Sequence, residues 1–76
     1  EYDRAIVDYN QAILIHPKYT NAFNNRGLAY KNKGEYDRAI ADFNQAIQIN
    51  PKLAIAFNNR GLAYDKKGEY DRAIAD

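Results

Sequence analysis

The chain has 76 residues, which limits it to one small domain. Its 11 basic and 10 acidic residues nearly cancel, so the composition gives no electrostatic signature of a nucleic-acid or anionic-membrane partner. The absence of cysteine excludes disulfides and thiolate metal sites, and no apolar run approaches the roughly 18 residues needed to cross a bilayer.

The first part of the chain predicts two helices. Residues 2–15 carry apolar side chains at three- and four-residue steps, the spacing of one helical face, and Pro17 ends this helix. A second helix is predicted over residues 21–33, with Thr20 as its N-cap. Gly34 closes it as a glycine able to adopt positive φ.

The second part repeats this arrangement. Residues 36–49 carry the apolar pattern of the first helix and end at Pro51. Residues 54–67 repeat the second helix, Gly68 is predicted to end it, and residues 70–76 begin a third copy of the first pattern. Connections of a few residues make neighbouring helices antiparallel, and no strand pattern competes. The predicted fold class is therefore all-α.

A period of 34 residues underlies the whole sequence. The stretch 21–30 returns with a single change as 55–64, and laying residues 1–42 over 35–76 matches 33 of 42 positions. A fixed period of this length is typical of one helical unit stacked on copies of itself. The chain opens in the middle of such a unit, so we expect it to be a piece of a longer protein.

The unit resembles the tetratricopeptide repeat, a 34-residue helix–turn–helix. The residues that match the pattern of this family are Ala5, Tyr9, Pro17, Phe23, Gly27, Tyr30, Ala39, Phe43, Pro51, Phe57, Gly61, Tyr64 and Ala73. The expected divisions are the end of one repeat, a complete repeat and a truncated repeat, over residues 1–19, 20–53 and 54–76. The resemblance implies a right-handed superhelix without enzymatic activity, whose concave groove holds peptides of partner proteins.

The two copies of the second helix carry a polar side. On it lie Asn21, Asn24, Asn25, Leu28 and Asn32 in the first copy, and Asn58, Asn59, Leu62 and Lys66 in the second. An asparagine amide offers donors and an acceptor, so it can bind both the C=O and the N–H of a peptide unit. We expect Asn25 and Asn59 to form a ladder along the groove. For all four asparagines of the two Asn-Asn pairs there are two alternatives. They are polar residues that only contact solvent, or they tie neighbouring repeats together. Leu28 and Leu62 either form an apolar floor of the groove or pack against the adjacent repeat.

Two arginines lie in the middle of the apolar side, where leucine is usual in the family. Burying an unpaired guanidinium costs several kcal/mol, so each arginine needs a carboxylate. Arg26 is expected to pair with Asp8 or Asp42. Arg60 is expected to pair with Asp42 or Asp76.

No set of residues indicates catalysis. His16 is the one histidine, and without a second histidine or a cysteine a transition-metal site is not expected. The chain has no serine and a single threonine, so it lacks a nucleophile–base pair. The sequence therefore predicts a protein that is not an enzyme and that needs no cofactor or metal.

The predicted function is a scaffold that binds an extended peptide of a partner protein in the groove. The alternative is a self-assembling module, in which helix 1–16 of one molecule completes helix 54–67 of the next, or in which chains swap helices. The expected partners are a protein or peptide and, by end-to-end stacking, a second copy, with neither nucleic acid nor membrane. The compartment is not indicated, and the cytoplasm is the default.

Overall fold

The structure, a computed structural model, describes residues 1–75 and consists there of four α-helices joined by short connections. The helices are α1 (Tyr2–Ile15), α2 (Thr20–Asn32), α3 (Tyr36–Ile49) and α4 (Ala54–Ala75). The first three coincide with the predicted segments to within one residue, and no strand occurs within the described range. The predicted all-α class is confirmed.

The helices stack in the order of the chain. α1 packs on α2, α2 on α3, and α3 on α4. α2 also contacts α4, whereas α1 and α3 have no described residues with Cα atoms within 8 Å of each other. The layer that contains α2 and α4 is therefore the tighter one, and the array curves towards it. The result is a helical-hairpin solenoid with α2 and α4 on its inner side.

The core lies between α2, α3 and α4. Its buried members are Ala39, Ile40, Phe43 and Ala63, with Leu28 and Tyr30 packed against them. Phe43 is fully buried, and its ring lies over Gly27: a Cβ placed on Gly27 would be 2.6 Å from Cε1 of Phe43. Because that distance is too short for two carbon atoms, only glycine at this position lets α3 lie so close to α2.

The ends of α2 show how local and tertiary contacts compete. Gly34 has a φ of +85°, the left-handed conformation predicted for it. Thr20, in contrast, is not the predicted N-cap but the first residue of α2, with Tyr19 as the cap. The hydroxyl of Thr20 donates to the carbonyl oxygen of Ala46 at 2.9 Å. It therefore ties α2 to α3 instead of capping its own helix.

The predicted helix end at Gly68 is wrong, because α4 runs without a break to Ala75. Gly34 and Gly68 share the neighbours Lys-Gly-Glu-Tyr-Asp, so the local sequence does not explain the difference. After Gly34, the chain turns back because α3 buries Phe43 and Ala46 against its neighbours. Tyr70 and Ile74, which follow Gly68, are exposed instead, although Ile40, the copy of Ile74, is buried. Continuing the helix costs only the modest penalty of an internal glycine, about 1 kcal/mol.

Candidate functional site

Two asparagines meet where α2 and α4 touch. Asn59 Nδ2 donates to Asn24 Oδ1 at 3.2 Å, and the two residues are only 7% and 6% exposed. Buried amides need such a partner, since an unpaired polar group inside a protein is costly. The pair is thus a tie between neighbouring repeats, one of the alternatives that the sequence left open for these residues.

The bonded pair keeps further hydrogen-bonding capacity. The bond to Asn59 uses the oxygen of Asn24 and leaves its NH₂ group, while Asn59 keeps its own oxygen. No side-chain nitrogen or oxygen among the described residues is fully buried without a partner, so neither of these remaining atoms is both buried and unbonded. The pair therefore keeps a donor on Asn24 and an acceptor on Asn59 outside their mutual bond, and a donor and an acceptor are the two groups needed to bind one peptide unit.

Equivalent asparagines of the two repeats have different surroundings. Asn25 is exposed whereas Asn59, its copy, is buried; Asn24 is buried whereas Asn58 is exposed. The reason is that Asn24 faces the helix of the following repeat and Asn59 the helix of the preceding one. Asn25 and Asn59 therefore do not share the common environment that a ladder of equivalent residues assumes.

The remaining residues of the polar side lie mostly in solvent. The exposed ones are Asn21, Asn25, Asn32, Asn58, Leu62 and Lys66. Leu28 is half-buried and packs against the core cluster, whose members lie on α3 of its own repeat and on α4 of the next. Its copy Leu62 is 44% exposed. Lys66 Nζ lies 3.7 Å from a carboxylate oxygen of Glu69.

Arg26 joins three helices. Its Nε and Nη2 donate to the two carboxylate oxygens of Asp42 on α3 at 2.8 and 2.7 Å, and its Nη1 donates to Asn10 on α1 at 2.8 Å. The guanidinium also lies 5.5 Å from the ring centre of Phe23 and 5.9 Å from that of Tyr30. The hydrogen bonds to Asp42 raise the pKa of Arg26 above its ordinary value. One of the two partners expected for Arg26 is thus present, in bidentate geometry.

Arg60 repeats only part of this arrangement. Its Nη1 donates to Asn44 at 2.8 Å, and its guanidinium lies 5.2 Å from the ring centre of Phe57. Of its two expected partners, Asp42 is bound to Arg26, and Asp76 lies outside the described residues. Among the described residues, Arg60 therefore has an amide partner and no carboxylate.

Sequence reasoning missed the asparagines that bind these arginines. Asn10 and Asn44 each lie 16 residues before their arginine, so a spacing conserved between the two copies was the available signal. It also missed Asp8's environment: the carboxylate is exposed on α1 rather than facing Arg26. The 34-residue repeat identifies equivalent residues, but packing decides which of them meet.

Two lysines make the same ion pair in successive repeats. Lys33 Nζ pairs with Asp3 of α1, and Lys67 Nζ lies 2.7 Å from Asp37 Oδ1 of α3. The hydrogen bond to the aspartate is, in each case, the main cause that raises the pKa of the lysine above its ordinary value. The first pair joins the end of α2 to the start of α1, and the second joins the interior of α4 to the start of α3.

The described residues contain no cluster of histidine, aspartate and glutamate arranged to hold a metal ion. Within the same range, no helix combines the length and the apolar character that a membrane crossing requires.

Family models match nearly the whole chain. A tetratricopeptide repeat model matches residues 20–53, a TPR repeat model residues 1–34, and a second tetratricopeptide repeat model residues 43–75. The crystal structure of MamA protein is similar, with a TM-score of 0.87 and 36% sequence identity over 99% of this chain. The chain spans 41% of that protein's length. No curated protein sequence matches it.

Proposed function

Because the chain belongs to the tetratricopeptide repeat family, whose repeats mediate protein–protein interaction, we propose that it is a scaffold that holds an extended peptide. The peptide lies along the inner side of the solenoid, against α2 and α4. The observation that carries this proposal is the bonded pair of Asn24 and Asn59, whose mutual bond leaves a donor on Asn24 and an acceptor on Asn59.

Recognition through the backbone suits this pair. An extended segment exposes the C=O and N–H groups of its peptide units whatever its side chains are, and an amide pair binds one of each. Asn24 and Asn59 are already fixed by their mutual hydrogen bond. Little side-chain freedom is lost when a peptide binds to them, so less of the interaction energy is spent on ordering. Asn25 adds an exposed amide next to the pair on α2.

Selectivity comes from positions on the inner helices where the two copies differ. These are Asn21 and Ile55, Lys31 and Asp65, and Asn32 and Lys66. Ile55 is exposed at the first turn of α4 and supplies an apolar contact at one end of the groove. Lys66 supplies a positive charge nearer the other end. The preferred peptide therefore carries an apolar side chain towards one end and an acidic one towards the other.

Calorimetry with a library of extended peptides tests the proposal, at concentrations where the chain is monomeric. We expect the Asn25→Ala/Asn59→Ala double variant to bind its selected peptide at least about tenfold more weakly, the loss of roughly two net hydrogen bonds. Gln11→Ala/Gln45→Ala is the matched control, since these residues are exposed copies of each other on the outer helices α1 and α3.

The single variant Asn25→Ala separates binding from folding, because Asn25 is exposed and makes no tie. It is expected to keep the stability of the parent chain and to lose part of the affinity. Equal peptide affinity of the parent chain and the folded double variant contradicts the proposal.

A further inference from the structure

Two large apolar side chains lie in solvent on the outer side of α1. Val7 is 64% exposed and Leu14 is 75% exposed. The two residues are two helical turns apart, so they lie on one line of α1 with about 10 Å between them along its axis. Together they form the outer stripe. Single exposed apolar residues are ordinary on a protein surface, but two on one line of a helix form a surface that a second helix can cover.

The neighbouring repeats do not cover the outer stripe. Its copies on α3 are Ala41 and Gln48, and both are exposed although α1 and α2 precede α3 in the stack. A preceding repeat therefore does not reach this position. α2 and α3 follow α1 and leave Val7 and Leu14 exposed, so a following repeat does not reach it either. The position faces solvent inside an array of repeats as well as at its edge.

The apolar character of this position belongs to α1 and not to α3. Residues 1–13 differ from residues 35–47 at only two positions, and one of the differences is Val7 in place of Ala41. Immediately after this stretch, Leu14 stands where α3 has Gln48. Both exchanges do nothing for packing within the chain, because the two side chains remain in solvent.

The outer stripe borders a furrow between α1 and α3. Asp3 and Asn10 lie next to it on α1, within about 60° around the helix, and they bind Lys33 and Arg26 of α2. This edge of α1 therefore faces the following repeat. The described residues of α1 and α3 have no Cα atoms within 8 Å of each other, so the two outer helices are not packed together and leave a furrow between them.

The free charges at the two ends of the outer stripe are basic. Arg4 lies one turn before the stripe and Lys18 lies in the turn that follows α1, and both are exposed. Neither takes part in an ion pair among the described residues. Of the nearby carboxylates, Asp3 is paired with Lys33, and Asp8 lies about 100° around α1 from the stripe. A partner therefore meets two apolar side chains between two positive charges.

We propose that the outer stripe docks an amphipathic helix of a partner protein, in which an apolar ridge is flanked by acidic residues. The apolar ridge covers Val7 and Leu14, and the carboxylates at its two ends pair with Arg4 and Lys18. The site lies on the outer side of the solenoid and is independent of peptide binding in the groove.

The charges argue against a second copy of the chain as the occupant. With α1 laid against α1, a parallel arrangement brings Arg4 beside Arg4 and Lys18 beside Lys18. An antiparallel arrangement brings Arg4 beside Lys18. Like charges meet in both cases, which is unfavourable. A helix with acidic residues at both ends of its ridge removes the repulsion and adds two ion pairs.

The test is a titration of the isotope-labelled chain with two synthetic helical peptides, followed by NMR chemical shifts. The acidic probe is an alanine-based helix with a ridge of leucines and with glutamates beyond each end of the ridge. The basic probe has lysines in place of the glutamates. We expect the acidic probe to bind and to shift the signals of α1 around the outer stripe. The basic probe is expected to bind at least about tenfold more weakly.

The chain itself supplies a matched variant. Val7→Ala/Leu14→Gln gives α1 the residues that α3 carries at the same positions, so it is expected to stay folded. It is expected to bind the acidic probe at least about tenfold more weakly than the parent chain. Arg4→Gln/Lys18→Gln is expected to remove the preference for the acidic over the basic probe. Asn25→Ala, in the groove, is expected to bind both probes as the parent chain does.

Four results overturn the proposal. They are no binding of the acidic probe, equal binding of the two probes, binding that Val7→Ala/Leu14→Gln leaves unchanged, and a preference for the acidic probe that survives Arg4→Gln/Lys18→Gln. Weaker binding of the acidic probe by Asn25→Ala also contradicts it, because the probe would then lie in the groove. Self-association of the parent chain that Val7→Ala/Leu14→Gln abolishes contradicts it as well, since the occupant would then be a second copy.

Discussion

Gly27 and Phe43 are in direct contact across the interface of α2 and α3, with no room for a methyl group between them. Their copies behave differently: Gly61 faces open space, because the described residues supply no aromatic ring over it. The same residue in the same sequence context therefore has two different structural roles. This contrast gives a matched pair of substitutions.

Gly27→Ala is expected to lower the free energy of unfolding by about 1–2 kcal/mol. The gain in helix propensity is about 1 kcal/mol, and the overpacking against a fully buried ring outweighs it. Gly61→Ala gains the same propensity without a collision, so it is expected to raise the free energy of unfolding by up to about 1 kcal/mol. Urea unfolding followed by circular dichroism measures both, in dilute solution. Equal effects of the two substitutions contradict the packing described for Phe43.

Asp42→Asn is expected to cost about 2–3 kcal/mol of stability. The substitution leaves the half-buried guanidinium of Arg26 without its carboxylate, and breaking a buried pair from one side is strongly destabilising. Asp8→Asn is the matched control, because Asp8 is the exposed copy of the same residue. It is expected to change stability by less than about 0.5 kcal/mol in dilute solution.

Asn59→Ala is expected to lower the free energy of unfolding by about 1–2 kcal/mol, since Asn24 is then buried without its donor. Asn25→Ala, the same change at the equivalent exposed position, is expected to have no effect beyond about 0.5 kcal/mol. Thermal unfolding of both variants measures the difference. A loss of the same size in both would mean that the tie between α2 and α4 contributes nothing.

Alkaline pH is expected to weaken the two lysine–aspartate pairs. The pKa values of Lys33 and Lys67 are raised in the folded chain by hydrogen bonds to Asp3 and Asp37 respectively. A raised lysine pKa stabilises the fold fully below the ordinary value of 10.5, and the contribution disappears as the pH rises through and above that value.

The measurement is the urea midpoint of unfolding at a series of pH values from neutral to above 10.5. Lys67→Gln is expected to have a lower midpoint than the parent chain at neutral pH. On the alkaline side, its midpoint is expected to fall less steeply with pH than that of the parent chain. Lys52→Gln, at an exposed position between α3 and α4, is the control for the charge change. Parallel curves for Lys67→Gln and the parent chain contradict the prediction.

Gly34 and Gly68 provide a second matched pair. Gly34→Ala is expected to destabilise the chain by about 1 kcal/mol or more, because alanine does not readily adopt the φ of +85° found there. Gly68→Ala lies inside α4 with no atom near its added methyl group, so it should stabilise the helix by up to about 1 kcal/mol. Helical circular dichroism and unfolding measure both. A loss of stability in Gly68→Ala would indicate that the chain turns back there in solution.

The sequence was sufficient where local chemistry decides the structure. Proline and apolar periodicity located α1 and α3, because a residue without an N–H strongly disfavours continuation of a helix. The partner of Arg26 could also be narrowed to Asp8 or Asp42, since a buried charge leaves few acceptable neighbours and an aspartate recurs at a fixed place on the outer helices; the structure shows Asp42.

The sequence was insufficient where contacts between helices, and not local chemistry, determine the structure. Gly34 and Gly68 have the same neighbours, and only the packing of the following segment separates a turn from a continuous helix. Asn24 and Asn25 are adjacent on one helical face, so the distinction between a tie and an exposed amide depends on the exact placement of α4. Thr20 found a carbonyl across the interface, which no local rule anticipates.

The hydrogen bond between Asn24 and Asn59 joins two different positions of the repeat. Each unit carries both halves of the bond on adjacent residues, the acceptor first and the donor second. A duplication of the 34-residue unit therefore produces a new neighbour that is already bonded on either side, without a compensating mutation. Such a protein can lengthen in single genetic steps, and its two ends remain chemically distinct at every length.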